Sequence, residues 1–109
     1  MHDVFAAVAE PTRRRILDRL RTEGPLSVGM ISASEAATRQ AVTKHLDVLE
    51  EAGLVRSERQ GRMRIHRLTA EPLQELDEWL SAYSALWDRR LERLRAYVES
   101  KREEDDGSD

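Results

Sequence analysis

At 109 residues the chain is one domain's worth, and a chain of that size buries only roughly two-thirds of its unfolded surface. Charged residues make up 36%, aromatics 5%, and there is no cysteine; this suits a small helical domain with much solvated surface or half of an oligomer, and it excludes disulfides and every thiolate metal or redox site. The net charge of −3 is uneven: residues 99–109, "ESKREEDDGSD", hold six acids and two bases, so the body of the chain is near neutral and phosphate contact is not excluded.

The first predicted helix is short, with Val4, Phe5 and Val8 of "DVFAAVA" at helical spacing. A second begins at Pro11, which suits a first helical position because its missing N–H is not needed there. Ile16, Leu17 and Leu20 form its apolar face, and Gly24-Pro25 ends it. Arg13, Arg14 and Arg15 either reach phosphates or form an ordinary solvated run.

Between Met30 and Ala52 there is no glycine or proline, so propensity alone predicts one long helix. The apolar stripe contradicts this. Val28 and Ile31 are in phase, but the next positions on that face are Glu35, Thr38 and Arg39, and the stripe restarts at Val42, Leu46 and Leu49. A continuous helix would bury a charge and two polar groups, at several kcal/mol if unpaired. A turn near residues 34–37 removes the conflict and makes Thr38 an N-cap; Gly53 then supplies a left-handed C-terminal cap.

A hairpin follows, "LVRSE" and "MRIHRL" joined through "RQGR". Val55 and Ile65, with Met63 as a third candidate, are expected to face the core, leaving Arg56, Arg62, Arg64 and Arg67 outward. Residues 54–68 carry five arginines and one glutamate, a local basic patch fit for phosphate.

The last element is a long helix beginning near Pro72. Leu73, Leu76, Leu80, Tyr83, Trp87, Leu91, Leu94 and Val98 keep helical spacing over about 26 residues, or roughly 39 Å. Trp79 lies one turn before Tyr83 and widens the apolar face. The ~70 residues ahead of this helix cannot cover it end to end, and a second copy of the same helix is the economical partner. The expected division is residues 1–101 as one DNA-binding and dimerisation domain and 102–109 as an acidic disordered tail. The fold class is mostly α with a small β-hairpin: a winged helix-turn-helix with a long C-terminal dimerisation helix. In that fold the second helix of the pair enters the major groove with its N-terminal residues at the base edges.

The chain resembles the ArsR/SmtB family of bacterial transcriptional repressors. The matching stretches are "AEPTRRRIL", "LSVG", "AVTKHLDVLEEAGLV", and "GRMRIHRL" followed by "EPLQELDEWL", which together span about residues 4–98. The terminal helix with its tryptophans resembles a cysteine-free branch. The resemblance implies a homodimer that binds double-stranded DNA at an imperfectly two-fold operator and represses nearby genes until released. Two departures stand out. The family turn usually has a glycine between two leucines, where this chain has Glu35-Ala36-Ala37, and His66 stands where relatives often carry tyrosine.

The expected DNA-binding residues are Thr38, Arg39, Gln40, Thr43, Lys44 and His45 on the recognition helix and Arg59, Arg62 and Arg64 on the wing. Arg39 is the candidate for guanine readout, and Lys44 and the wing arginines are candidates for backbone contact. His45 is weighed toward packing or phosphate bonding. The expected dimerisation residues are Val4, Phe5, Val8, Leu76, Leu80, Tyr83, Trp87, Leu91 and Leu94. No cofactor, metal or membrane partner is expected: His2, His45 and His66 lack ligand spacing, Asp77, Glu78, Asp88 and Glu92 would form at best a weak hard-ion site, and no apolar run or signal peptide points away from a cytoplasmic protein. No enzyme motif is present. Two rival readings remain: a regulator controlled by a small apolar inducer at the Trp79/Tyr83/Trp87 stripe, and a winged-helix protein-interaction module that does not bind DNA.

Overall fold

The computed structural model describes residues 3–106. The elements are α1 (Val4–Ala9), α2 (Pro11–Glu23), β1 (Leu26–Ser27), α3 (Val28–Ser34), α4 (Arg39–Glu51), β2 (Val55–Gln60), β3 (Met63–Leu68) and α5 (Leu73–Asp106). The chain divides after Leu76 into two compact units.

In the first unit, the α2 stripe Ile16, Leu17 and Leu20 and the α4 stripe Val42, Leu46 and Leu49 are buried as the periodicity requires. Ile31 of α3 and Leu54 join them with no exposed surface. Leu73 and Leu76 pack against this core as well. Short α1 sets down Val4 and Ala7, at 3% and 0% exposure, whereas Phe5 remains 37% exposed and Val8 is only partly buried. The small Ala7, not Phe5, is the inward partner of Val4, because it lies three residues on, on the same helical face.

The helix ends follow from local chemistry. The Glu10 carboxylate accepts from the Arg13 amide at 2.9 Å and caps α2, with Pro11 at the first position. The Thr38 hydroxyl accepts from the Ala41 amide at 3.1 Å and caps α4. At the other end of α4, Gly53 has φ +78°, its amide donates to the Glu50 carbonyl at 3.0 Å, and the Leu54 amide donates to the Leu49 carbonyl at 2.9 Å. That pair of bonds is the Schellman closure, for which glycine's positive φ is the requirement.

The sheet has a strand that periodicity did not reveal. Two residues, Leu26 and Ser27, pair with β3, giving the antiparallel order β1-β3-β2. Strand β2 meets β3 with Val55 opposite Leu68, Ser57 opposite His66, Glu58 opposite Ile65 and Arg59 opposite Arg64. This register corrects the expected hairpin core. Facing residues share a side of the sheet, so Val55, Leu68, His66 and Leu26 share one face, and Ile65 lies on the other. His66, at 4% exposure, shares the side of Val55, whereas Ile65 is buried at 9% on the opposite face and Met63 is 45% exposed. The wing turns through Gly61 at φ +63° followed by Arg62, where no non-glycine residue has a positive φ, which is the type II′ pattern.

The second unit is carried by α5, which continues to Asp106. Part of the expected tail, residues 107–109, lies outside the described residues.

Candidate nucleic-acid interface

The break between α3 and α4 occurs at residues 35–38, so α4 begins with Arg39. Its first two turns expose Arg39, Gln40, Thr43 and Lys44, and its buried stripe starts only at Val42. Among the described residues the side chains of Arg39, Gln40 and Lys44 make no hydrogen bond or ion pair with the rest of the chain. The position of Arg39 is informative. A cation in the first turn of a helix sits at the positive end of the helix dipole, unfavourable by a few tenths of a kcal/mol, and no internal partner offsets it. An external anion or a base acceptor would.

The two threonines are partly committed. Thr38 uses an oxygen lone pair for the cap but keeps its hydroxyl proton, while Thr43 donates to the Arg39 carbonyl at 2.9 Å and keeps acceptor capacity only. His45 is half-buried and faces α2: its Nδ1 accepts from Arg13 Nη1 at 3.4 Å and lies 3.8 Å from Glu10 Oε2. It joins α4 to the start of α2. The Glu10 carboxyl lies below its ordinary range: burial raises it, but the Arg13 amide, His45 and Thr12 together outweigh that.

On the wing, Arg59 and Arg62 are exposed and unpaired among the described residues. Arg64 is tied down; it donates to the Ser57 hydroxyl at 2.8 Å, and Ser57 donates to Glu50 of α4 at 2.9 Å. This relay fastens the wing to the recognition helix. Arg67 pairs with Glu58 at 3.4 Å. Arg59 and Arg64 face each other across the ladder, a like-charge pair that is unfavourable without an anion nearby. Arg39, Arg62 and Arg64 line one cleft together with Ser27, Met30 and Met63, so the front of α4 and the wing converge.

The arginine run of α2 is engaged within the chain. Arg13 donates to the Ala6 and Ala7 carbonyls at 3.0 and 2.7 Å, and Arg14 donates to those of Val8 and Ala9 at 2.8 and 3.1 Å. Together they cap the C-terminus of α1, a role that sequence spacing did not signal. His66, like Ser27, is a buried polar residue. Its Nδ1 has no hydrogen-bond partner, and burial pushes its pKa below the ordinary histidine value, with Arg64 adding to the effect and Glu50, the Leu26 backbone and Asp47 opposing it.

Of the expected dimerisation residues, Val4 is buried in its own chain's core, and Leu76, partly buried, packs against the same core. Leu80, Tyr83, Trp87, Leu91 and Leu94 are 48–70% exposed. Leu86 and Tyr97, 51% and 61% exposed, fall seven and eighteen residues after Trp79 and so lie with it on the flank of the seam. Sequence reading missed these two because they are off the main stripe. The Trp79 and Tyr83 rings meet tilted at 51° with centroids 5.1 Å apart. Among the described residues no three His, Cys, Asp or Glu side chains cluster to hold a metal ion; His2 lies outside them. No helix is long and apolar enough to cross a membrane.

A family model described as a helix-turn-helix domain matches residues 8–58. The HTH-type transcriptional regulator YuzN of Bacillus subtilis (strain 168) is 42% identical over 79 residues, 67% of this chain and 86% of that protein. The transcriptional repressor SdpR of the same organism is 31% identical over 80 residues, 73% of this chain and 88% of that protein. Among solved structures, an ArsR family transcriptional regulator, RHA00566, superposes with a TM-score of 0.68 at 32% identity, covering 81% of this chain and 97% of that one.

Proposed function

Because the chain belongs to the ArsR/SmtB family of winged helix-turn-helix transcriptional regulators, we propose that it is a repressor that binds a pseudo-palindromic operator as a homodimer, without a metal effector. Regulation of transcription through a helix-turn-helix domain is what its relatives are named for, and theirs is not an enzymatic class. The observation that carries the finer reading is the front of α4. Arg39, Gln40 and Lys44 are exposed and unpartnered there, and Arg39 shares a cleft with the wing arginines. Arg39 reads a base edge, Gln40 and the Thr38 hydroxyl assist, and Lys44, Arg59 and Arg62 hold the phosphate backbone.

Dimerisation is supported by the face of α5, where nine large apolar side chains from Trp79 to Val98 are at least 43% exposed. A second copy of α5 presents the same stripe, and a two-fold dimer sets the two recognition helices to half-sites about one helical turn of DNA apart. The groove along Trp79, Tyr83 and Trp87 would also take a small apolar ligand, but pairing of the helices covers those residues. Metal independence is supported by the donor set: no cysteine in the chain, and His45 and His66 in separate elements, one on α4 and the other within the sheet.

The test is selection of bound duplexes from random sequence. Fluorescence anisotropy of the winner then follows across a salt series, with EDTA or added zinc, alongside sedimentation of the free protein. Selective, salt-steep binding by a dimer, unchanged by chelator or zinc, is the expected result. Failure to enrich any sequence would end the repressor reading in favour of a protein-binding module. A zinc-dependent change in affinity would end metal independence, and saturable quenching of tryptophan fluorescence by an apolar compound that releases DNA would favour a ligand-controlled regulator.

A further inference from the structure

The turn between α3 and α4 has no glycine, and no residue in it takes a positive φ; Glu35 is extended at φ −98°, ψ 143°. The left-handed closure that ends α4 at Gly53 is therefore missing at the end of α3. The carbonyls of a final helical turn still need donors. Another helix contributes part of that supply. Arg19 of α2 donates through Nη1 to the Met30 carbonyl at 3.2 Å, to the Ile31 carbonyl at 3.1 Å, and to the Ser34 hydroxyl. The rest of its guanidinium is held by Glu23, with Nε to Oε2 at 2.6 Å and Nη2 to Oε1 at 3.3 Å. Its side chain is only 21% exposed, so the fork is fixed rather than swept through solvent.

One turn earlier on the same face of α2, Arg15 Nε lies 3.3 Å from Glu35 Oε2, and that carboxylate is 10% exposed. Arg15 is steadied in turn by a bond from Nη2 to the Thr12 hydroxyl at 2.9 Å. Arg15 and Arg19 thus grip two consecutive residues, Glu35 and Ser34. Only Ala36 and Ala37 separate them from Thr38, the N-cap of the recognition helix.

We propose that Arg19, with the Arg15–Glu35 pair as its lock, is a positioning residue for operator recognition. This α2 clamp replaces the missing glycine closure, fixes the direction in which α4 leaves the turn, and so controls discrimination between sequences without touching DNA. The inference rests on the repressor reading. A planar guanidinium fork suits the task because one side chain reaches two carbonyls, a hydroxyl and a carboxylate at once.

The experiment uses the full chain with Arg19→Gln, and with Arg15→Glu and Glu35→Arg singly and combined. Each is titrated by anisotropy against the selected operator and a random duplex of equal length, across salt. Arg19→Gln is expected to lower operator affinity on the order of tenfold, with random-duplex affinity and salt slope unchanged. Each single charge reversal is expected to lower the ratio of operator to random affinity, and the double reversal to restore it. Equal losses on both duplexes with a salt slope smaller by about one would mark Arg19 as a phosphate contact and overturn the proposal. Unchanged operator affinity, or a double reversal no better than the weaker single, would overturn it too. Should Arg19→Gln not fold, the charge-reversal cycle decides. Should the wild-type chain select no operator, the clamp is read by amide exchange at residues 34–38. Exchange there is expected to speed on the order of tenfold in Arg19→Gln while Leu46 and Leu49 stay protected, and an unchanged rate would overturn the clamp independently of DNA.

Discussion

Arg39→Ala separates recognition from stability. Arg39 opens α4, is exposed, and has no partner within the described chain. Its removal therefore loses no internal bond. It also takes a cation away from the positive end of the helix dipole, and alanine is at least as good a helix former. The folding free energy should stay within about 0.5 kcal/mol of wild type or rise slightly. Binding should behave in the opposite way. A bidentate arginine–guanine contact is worth about 1–3 kcal/mol of discrimination. A symmetric dimer carries two such contacts, so the operator loses roughly 2–6 kcal/mol, at least about 30-fold in affinity. Random DNA, which offers no fixed guanine, should lose far less, and the salt slope should hold. Anisotropy on operator and random duplexes, with a urea melt of each protein as control, measures all of this. An operator affinity unchanged in a protein of unchanged stability would refute base readout by Arg39. Equal losses on both duplexes with a shallower slope would demote Arg39 to a phosphate contact.

Other outcomes follow from the same geometry. Leu91→Glu sets a charge in the exposed α5 stripe and should leave the protein monomeric by sedimentation while weakening operator binding by at least about tenfold through loss of the second half-site; a dimer that persists would place the interface elsewhere. Gly53→Ala forces a Cβ into φ +78°, where it meets Pro72 Cγ at 3.4 Å, an ordinary contact. The strain alone should cost about 1–2 kcal/mol and lower the melting temperature by roughly 5–10 °C in differential scanning calorimetry. His66 is buried with its pKa pushed down, so the unfolded chain binds the extra proton first. Stability is complete above the ordinary histidine value of 6.5 and falls as pH drops through it toward the lowered folded value. The urea midpoint should therefore decline from neutral pH to below 6, and His66→Phe should flatten that decline; a flat wild-type profile would contradict the assignment.

The α-helical part was legible because burial on a helix repeats every three to four residues. The interruption of the stripe at Glu35, Thr38 and Arg39 located a turn that propensity denied, and Thr38 caps α4 where the interruption required it. The sheet was less legible. Strand β1 is two residues long, too short for any alternation to register. Ile65 is buried as expected, but on the face opposite Val55, because a period of two sends neighbours such as Ile65 and His66 to opposite sides of the sheet. The pairings of Val55 with Leu68 and of Leu26 with His66 show which residues share a side. For the interface, residue type and position on α4 were readable. What each side chain is already bonded to was not, since those partners come from distant elements: Glu10 and Arg13 for His45, Ser57 for Arg64.

Arginine shows why that information decides function. The basic wing and the basic start of α2 look alike in sequence, but the fold divides them. Arg13, Arg14 and Arg19 donate to backbone carbonyls at the ends of α1 and α3, where their charge is absorbed in capping. Arg64 and Arg67 are drawn into relays with Ser57 and Glu58. Among the described residues of the first unit, Arg39, Arg56, Arg59 and Arg62 are left with solvated guanidiniums, and they belong to the front of α4 and the wing. Charge density alone would have favoured the triple arginine of α2 as the phosphate site. Counting donors already engaged reverses that order, because a guanidinium that must abandon carbonyls in order to meet phosphate loses as many bonds as it gains. The same reasoning assigns opposite consequences to two arginines of one chain: loss of Arg39 should leave the fold intact and impair recognition directly, whereas loss of Arg19 should impair recognition only by releasing the turn that aims it.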